Sequence, residues 1–268
     1  MLISTLYYAK GTEVMDEMTN MADNPAARLA EVEETLRQAL AAFQPKDDVL
    51  AFSFEDIFQL FLYHKIFAPK KPVEPCPIQF SRLYRLKGRL LAEAGDYAGA
   101  AGALTEALTW NPVDPEAVFE LAEVYKLRKN IQAFLDETRR AFGLAVTREQ
   151  LARGYRNWGY YFIEKGRYDQ AAQLYFFSNA FSSHDLVLNE LLYINQMTGK
   201  DVPSPDQDKL LAILERYKIP LGPSDTVVDT ALALADQSEA EGEAELAHQC
   251  RQMAFDLTGD PKIKEKLN

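Results

Sequence analysis

The chain has 268 residues, 47% of them hydrophobic, and a formal net charge of −11. That much apolar side chain supplies a sizeable core, so global disorder is excluded, and the length corresponds to one or two domains. An acidic surface repels phosphate backbones and anionic lipid, which argues against nucleic acid and membrane surfaces as partners, and no apolar run approaches the ~20 residues of a membrane span. Cys76 and Cys250 belong to no metal-binding or redox spacing and are expected as reduced thiols. The N-terminal MLISTLYYAKGTEVMDEM lacks a basic region followed by a long apolar stretch, so no secretory signal is expected and a cytoplasmic location is.

In chain order, NPAARLAEVEETLRQALAAF reads first, as an amphipathic helix. Asn24 can cap it, Pro25 suits the first turn, and Leu29, Val32, Leu36, Ala39, Leu40 and Phe43 share a face. SFEDIFQLFLYHKIF follows, with Ser53 as the expected cap and Phe54, Phe58, Phe61, Tyr63 and Phe67 spread nearly all round. A helix apolar on every side is buried, here against the helices that follow. The other reading is a docking surface for a second chain. APKKPVEPCP, residues 68–77, reads as a stiff, extended connector. Residues 1–78 are therefore expected to be an N-terminal helical extension with its connector.

GDYAGAAGAL, residues 95–104, holds Gly95, Gly99 and Gly102. Its GxxxGxxG spacing follows a helix-like stretch, RLYRLKGRLLAEA, and no GK[ST] closes it, so neither a dinucleotide nor a Walker phosphate loop is expected. Helix packing accounts for the small residues. Gly88, Ala100, Ala107 and Pro112 stand at intervals of 12, 7 and 5. Ala122, Phe134, Ala141 and Val146 repeat those intervals 34 residues later. Gly159, Ala171, Ser178 and Ser183 repeat them again, as do Ala235, Ala247, Ala254 and Gly259. Gly95, Gly166 and Gly242 each lie seven after the first small residue, where a turn belongs; Lys129 and Asn130 replace the glycine in the second set.

This pattern resembles the tetratricopeptide repeat, a 34-residue helix–turn–helix unit with small residues where its two helices touch. NWGYYFIEKGRYDQAAQLYFFSNA carries the WG, the aromatic and the GRYDQA turn of that family. The resemblance covers 81–185 and 228–261 and implies an all-α chain: a right-handed superhelix of paired helices behind the N-terminal extension. The repeat region would occupy 79–268, with units near 81–114, 115–148, 152–185, 186–219 and 228–261. In the fourth unit, DLVLNELLYINQMTGK and KLLAILERYK form the helices, and DVPSPDQ stretches the turn between them. TVVDTALALADQSEA and GEAELAHQCRQMAFDL make the last pair, and the charged tail after Asp260 and Pro261 can cap it.

Catalytic chemistry is not expected. His64, His184 and His248 are dispersed, His248 and Cys250 fall on different helix faces, and no nucleophile or zinc motif occurs. No cofactor or metal is expected, and the chain is not expected to be an enzyme.

In proteins of the resembled family, ligands lie in the concave groove lined by the first helix of each unit. The resemblance places Arg82, Arg85 and Arg89 there in the first unit, spaced to share a helix face. Phe119, with Glu116 and Glu123, matches in the second unit, and Arg153, Arg156 and Tyr160, with Asn157 beside them, in the third. Guanidinium groups bind carboxylates bidentately. The implied function is a protein–protein interaction scaffold whose partner is a protein or peptide carrying acidic groups. Two other readings stand beside it. Glu116 and Glu123 could pair with these arginines inside the groove, or the chain could be a regulator that closes on a small peptide or metabolite. A departure from the family's carboxylate-clamping members, Glu120 at their middle asparagine, argues against that clamp. The aromatic helix or a terminal repeat could also pair two copies of the chain.

Overall fold

A computed structural model describes residues 24–267, so the N-terminal MLISTLYYAKGTEVMDEM lies outside the described residues. The protein is all-α, with thirteen helices and one small two-stranded ribbon among those residues. It divides into two compact units, residues 1–130 and 131–268.

Unit 1 contains α1 (Pro25–Ala42), β1 (Leu50–Phe52), α2 (Ile57–Phe67), β2 (Val73–Pro75), α3 (Phe80–Glu93), α4 (Tyr97–Trp110) and α5 (Pro115–Leu127). α1 starts as its sequence dictates: Asn24 accepts the Ala26 N–H at 3.0 Å and Pro25 occupies the first turn. It lays Val32 and Leu36 into one cluster with Cys76, Phe80, Leu83 and Leu90 of the first repeat. Leu40 is an exception on that face and stays exposed. Phe80 and Trp110 stack at 4.2 Å between centroids, with Phe43 set edge-on to both. Such pairs add about 0.5–1.5 kcal/mol each beyond their buried area.

Ser53 does not cap α2. Its hydroxyl donates to the Ile78 carbonyl at 2.8 Å and accepts from the Phe80 N–H, and Asp56 caps the helix by accepting the Gln59 N–H at 2.8 Å. α2 buries Phe58, Gln59, Leu62 and Tyr63 and leaves Ile66 and Phe67 exposed. Gln59 accepts from the Asn111 amide at 2.7 Å, which ties α2 to the end of α4. The connector is more than a spacer. Its β2 pairs in parallel with β1, Leu50 opposite Val73 and Phe52 opposite Pro75, and delivers Cys76 to the core, where burial pushes the thiol pKa up.

Unit 2 contains α6 (Ile131–Leu144), α7 (Arg148–Glu164), α8 (Tyr168–Ser178), α9 (Asp185–Thr198), α10 (Gln207–Tyr217), α11 (Asp225–Ala240), α12 (Ala244–Thr258) and α13 (Pro261–Glu265). Thr147 and Gln150 form a reciprocal capping box at the start of α7. α7 packs on α6 and α8, α11 pairs with α12, and α13 closes on α12 with Ile263 buried. The helices expected as the fourth pair, α9 and α10, both pack on α8.

The first three small positions of each set lie inside the fold. Gly88, Ala100, Ala107, Ala122, Ala141, Gly159, Ala171, Ser178, Ala235, Ala247 and Ala254 are all buried, as is the larger Phe134. A Cβ on Gly88 would lie 2.6 Å from Leu104 Cγ, and one on Gly159 would lie 2.9 Å from Tyr175 Cε2. The two contacts have the same separation in sequence, as a repeated geometry requires. The turns repeat too: Gly95, Gly166 and Gly242 have φ of 82°, 66° and 82°, and Lys129 takes the same left-handed place with φ of 58°. A lysine incurs a steric cost there that glycine does not. Lys129→Gly is therefore expected to stabilise the protein by about 1 kcal/mol, read as a higher urea midpoint. An unchanged or lower midpoint would show that the turn carries no such strain.

Candidate functional site

Each helix pair was expected to present its first helix to a ligand, so α3 and α5 are the relevant elements in unit 1 and α7 in unit 2. On α3 the three arginines meet carboxylates of the chain itself. Arg85 donates through Nη1 to Asp114 at 2.8 Å and through Nη2 to Glu55 at 2.9 Å. Arg82 Nε stands 3.8 Å from the same Glu55, and Arg89 Nη2 stands 3.6 Å from Glu120. Of the two carboxylates named from the sequence, Glu116 adds to the field on Arg85, while Glu123 pairs with Lys126. Asp114 also caps α5, accepting the Glu116 and Ala117 N–H groups at 2.9 and 3.2 Å. Burial pushes its carboxyl up to about 6, against the opposing pull of the Arg85 charge and those N–H groups. Phe119 is fully buried.

On α7, Arg156 is nearly buried and holds Glu149 at 2.5 Å. Burial acts to raise the Glu149 carboxyl, but the Ser182 hydroxyl, Arg156 and His184 together outweigh it and lower its pKa. Asn157 donates to the Thr138 hydroxyl at 3.2 Å, and Tyr160 sets its ring edge-on to Phe134 at 5.5 Å. Arg153 is half-buried on the same helix. The structure thus gathers Arg82, Arg85 and Arg89 into one charge network in unit 1. It places Arg153, Arg156, Asn157 and Tyr160 along α7 in unit 2.

Two features of unit 2 were not foreseen. α9 buries only Val187 and Ile194, leaving Leu186, Leu188, Leu192, Tyr193 and Met197 exposed. The sequence DLVLNELLYINQMT did contain this signal, because it holds more apolar residues than one buried stripe needs. The second feature is a cleft of about 860 Å³ bounded by α8, α9 and α10, into which Arg167, Lys200, Lys209 and Arg216 project. Arg167 and Lys200 lie far from Lys209 and Arg216 in sequence, so periodicity within one helix could not reveal the cluster.

His184 serves as the N-cap of α9, its Nδ1 accepting the Leu186 N–H at 3.1 Å. Among the described residues, no group of three or more His, Cys, Asp or Glu side chains is placed to hold a metal ion. No helix among them is long and apolar enough to cross a membrane.

No family model matches the chain. No curated protein matches it. Solved structures similar to it include that of MamA, 16% identical, covering 69% of this chain and 79% of MamA with a TM-score of 0.32. Another is TTC0263, a thermophilic TPR protein in Thermus thermophilus, 17% identical, covering 70% of this chain and 96% of that one with a TM-score of 0.37. Likenesses at that level say nothing of a ligand or a partner.

Proposed function

We propose that this protein is an interaction module that binds a protein partner and turns over no substrate. The observation that carries this reading is α9, which leaves Leu186, Leu188, Leu192, Tyr193 and Met197 exposed. An apolar helix face left to solvent is costly unless a partner covers it. Leu188 and Leu191 also line a groove of about 440 Å³ with Phe176 and Val187, large enough to take a partner's apolar side chain.

Acidic groups on the partner would be read by the arginine-bearing faces of α3 and α7. Arg82 and Arg89 hold their carboxylates at 3.8 and 3.6 Å, longer than a normal hydrogen bond, so exchanging them for a partner's carboxylate costs little. Arg153, Asn157 and Tyr160 offer the corresponding set on α7. Arg85, half-buried, and Arg156, buried, are closely paired and position these helices, and Phe119 is buried on α5.

The test is capture of partners from native extract with three baits: wild type, Leu188→Asp/Leu192→Asp, and Arg82→Glu/Arg89→Glu/Arg153→Glu. Partners held by the wild type are expected to be lost from the leucine variant and to be weakened at least tenfold in the arginine variant. Equal recovery by all three baits would refute docking at these faces. Sedimentation of the wild type and the leucine variant reports whether α9 instead joins two copies of the chain.

A further inference from the structure

We infer that the cleft among α8, α9 and α10 is a binding site for an acidic linear peptide. The inference deepens the interaction reading by naming the partner's chemistry, but it rests on residues other than the exposed leucines of α9.

The charge state of the lining carries the argument. The protein as a whole has a net charge of −11, yet this cleft is lined by Arg167, Lys200, Lys209 and Arg216 against only Asp169 and Asp201. Arg85, Arg156 and Arg251 are by contrast neutralised by the chain: Arg85 by Asp114 and Glu55, Arg156 by Glu149, Arg251 by Asp236 and Glu239. In the cleft only Lys209 has such a partner, Asp206 at 3.3 Å; Arg167, Arg216 and Lys200 form no ion pair among the described residues. Two of these cations are nevertheless held in place. The Arg167 and Arg216 guanidinium groups lie 5.6 and 5.7 Å from the centroid of the same Tyr217 ring, and Arg167 also donates to the Tyr217 hydroxyl. An aromatic ring orients a guanidinium without cancelling its charge. Four cations against two carboxylates leave an excess of like charge that repels itself, and an anionic ligand lowers that cost.

The frame is preformed. Gln173, 3% exposed, donates from Nε2 to the Ser204 carbonyl at 3.1 Å and accepts the Asp206 N–H at 2.7 Å. This fastens the stretched turn 201–206 to α8 as one wall of the cleft. α8 begins without a side-chain cap, so its positive end adds to the field. The volume, about 860 Å³, lies in the range of ligand-binding sites, roughly 300–1,000 Å³.

The spacing of the charges favours a peptide. Lys209 and Arg216 are two helical turns apart on α10, roughly 10 Å at 1.5 Å per residue. An extended chain advances about 3.3 Å per residue, so carboxylates three residues apart match that distance. Between them Ile194, Met197 and Ile213 offer apolar contact. The ligand is thus an extended segment with acidic residues three apart and aliphatic residues between.

Fluorescence anisotropy with the fluorescein-labelled peptide Asp-Val-Leu-Asp-Val-Leu-Asp tests this on the full chain. Saturable binding to the wild type is expected, weakening several-fold as salt rises from low to physiological. Replacing each aspartate by asparagine in the probe is expected to abolish it. Arg167→Glu/Arg216→Glu is expected to weaken binding at least tenfold. Lys200→Glu, in an exposed loop, is expected to weaken it about threefold, which keeps the test valid if the double variant misfolds. Leu188→Asp/Leu192→Asp is expected to bind the probe like the wild type, so failure of the apolar face and failure of the cleft are told apart. The inference is overturned by equal binding of the asparagine probe, by undiminished binding to Lys200→Glu and the double variant, or by a wild type that binds ATP but not the peptide.

Discussion

Gly154→Ala is expected to destabilise the protein by roughly 1–2 kcal/mol, although alanine is the better helix former. A Cβ at this position of α7 would stand 2.2 Å from Cδ2 and 2.7 Å from Cε2 of Phe142. Phe142 cannot swing aside cheaply, because it is 1% exposed and packs edge-on against Tyr155 at 4.9 Å. Overpacking a filled core costs about 1–3 kcal/mol. The helix gains roughly 1 kcal/mol when glycine becomes alanine, so a clash this close leaves a net loss. Gly102→Ala is the control. It sits in α4 with nothing within 4 Å of the added carbon, so it is expected to stabilise by roughly 0.5–1 kcal/mol. Urea unfolding of the two variants should move the midpoint in opposite directions. If Gly154→Ala also raises it, the α6–α7 contact is loose enough to admit a methyl group.

Arg85→Ala is expected to cost about 3–5 kcal/mol at neutral pH, the usual penalty for stripping the partner from a buried charge. Asp114 is 1% exposed, caps α5 and depends on Arg85 Nη1 at 2.8 Å. The pH dependence has a definite sign. In the folded protein the Asp114 carboxyl is pushed from 3.8 up to about 6, so the folded state binds its proton more tightly than the unfolded chain does. The stability contributed by that proton is fully present below about pH 4 and is lost as pH rises through about 6. Removing Arg85 takes away the charge that holds the carboxyl down, which moves the folded value higher still. The destabilisation by Arg85→Ala should therefore shrink markedly between about pH 7.5 and about pH 5. Asp114→Asn in that background should recover much of the loss, because the amide oxygen can still accept the Glu116 and Ala117 N–H groups without carrying charge. Urea midpoints at the two pH values decide it: a penalty independent of pH would mean that the lost packing of the arginine stem, and not an orphaned charge, is responsible.

Much of the local architecture was legible in the sequence because it depends on short-range geometry. Asn24 caps the helix it precedes, and the turn glycines take up positive φ. The small residues mark where paired helices touch. Ser53 misled because two acceptors competed for one role. Asp56 stands closer to the helix it caps, and Ser53 is drawn instead to Ile78 and Phe80 across the fold. Lys129 shows the opposite case, a turn that keeps its left-handed geometry after losing its glycine, since the flanking helices dictate the backbone. The candidate arginines were legible as helix faces, but their partners were not. Glu55 reaches Arg85 from the loop before α2, and Asp114 reaches it from the cap of α5.

Periodicity, caps and small residues act within a few turns of chain, so the all-α class and the close approaches of Gly88 to Leu104 and Gly159 to Tyr175 are written into the order of the residues. Which charges are neutralised and which stay open is a matter of three-dimensional placement. Arg85 and Arg156 meet carboxylates brought by other parts of the chain. Arg167, Lys200 and Arg216 converge on a cleft where no carboxylate pairs with them. Whether a guanidinium is a structural clamp or an open binding group depends on Coulomb interactions and desolvation over a few ångströms of space. No spacing along the sequence encodes that distance.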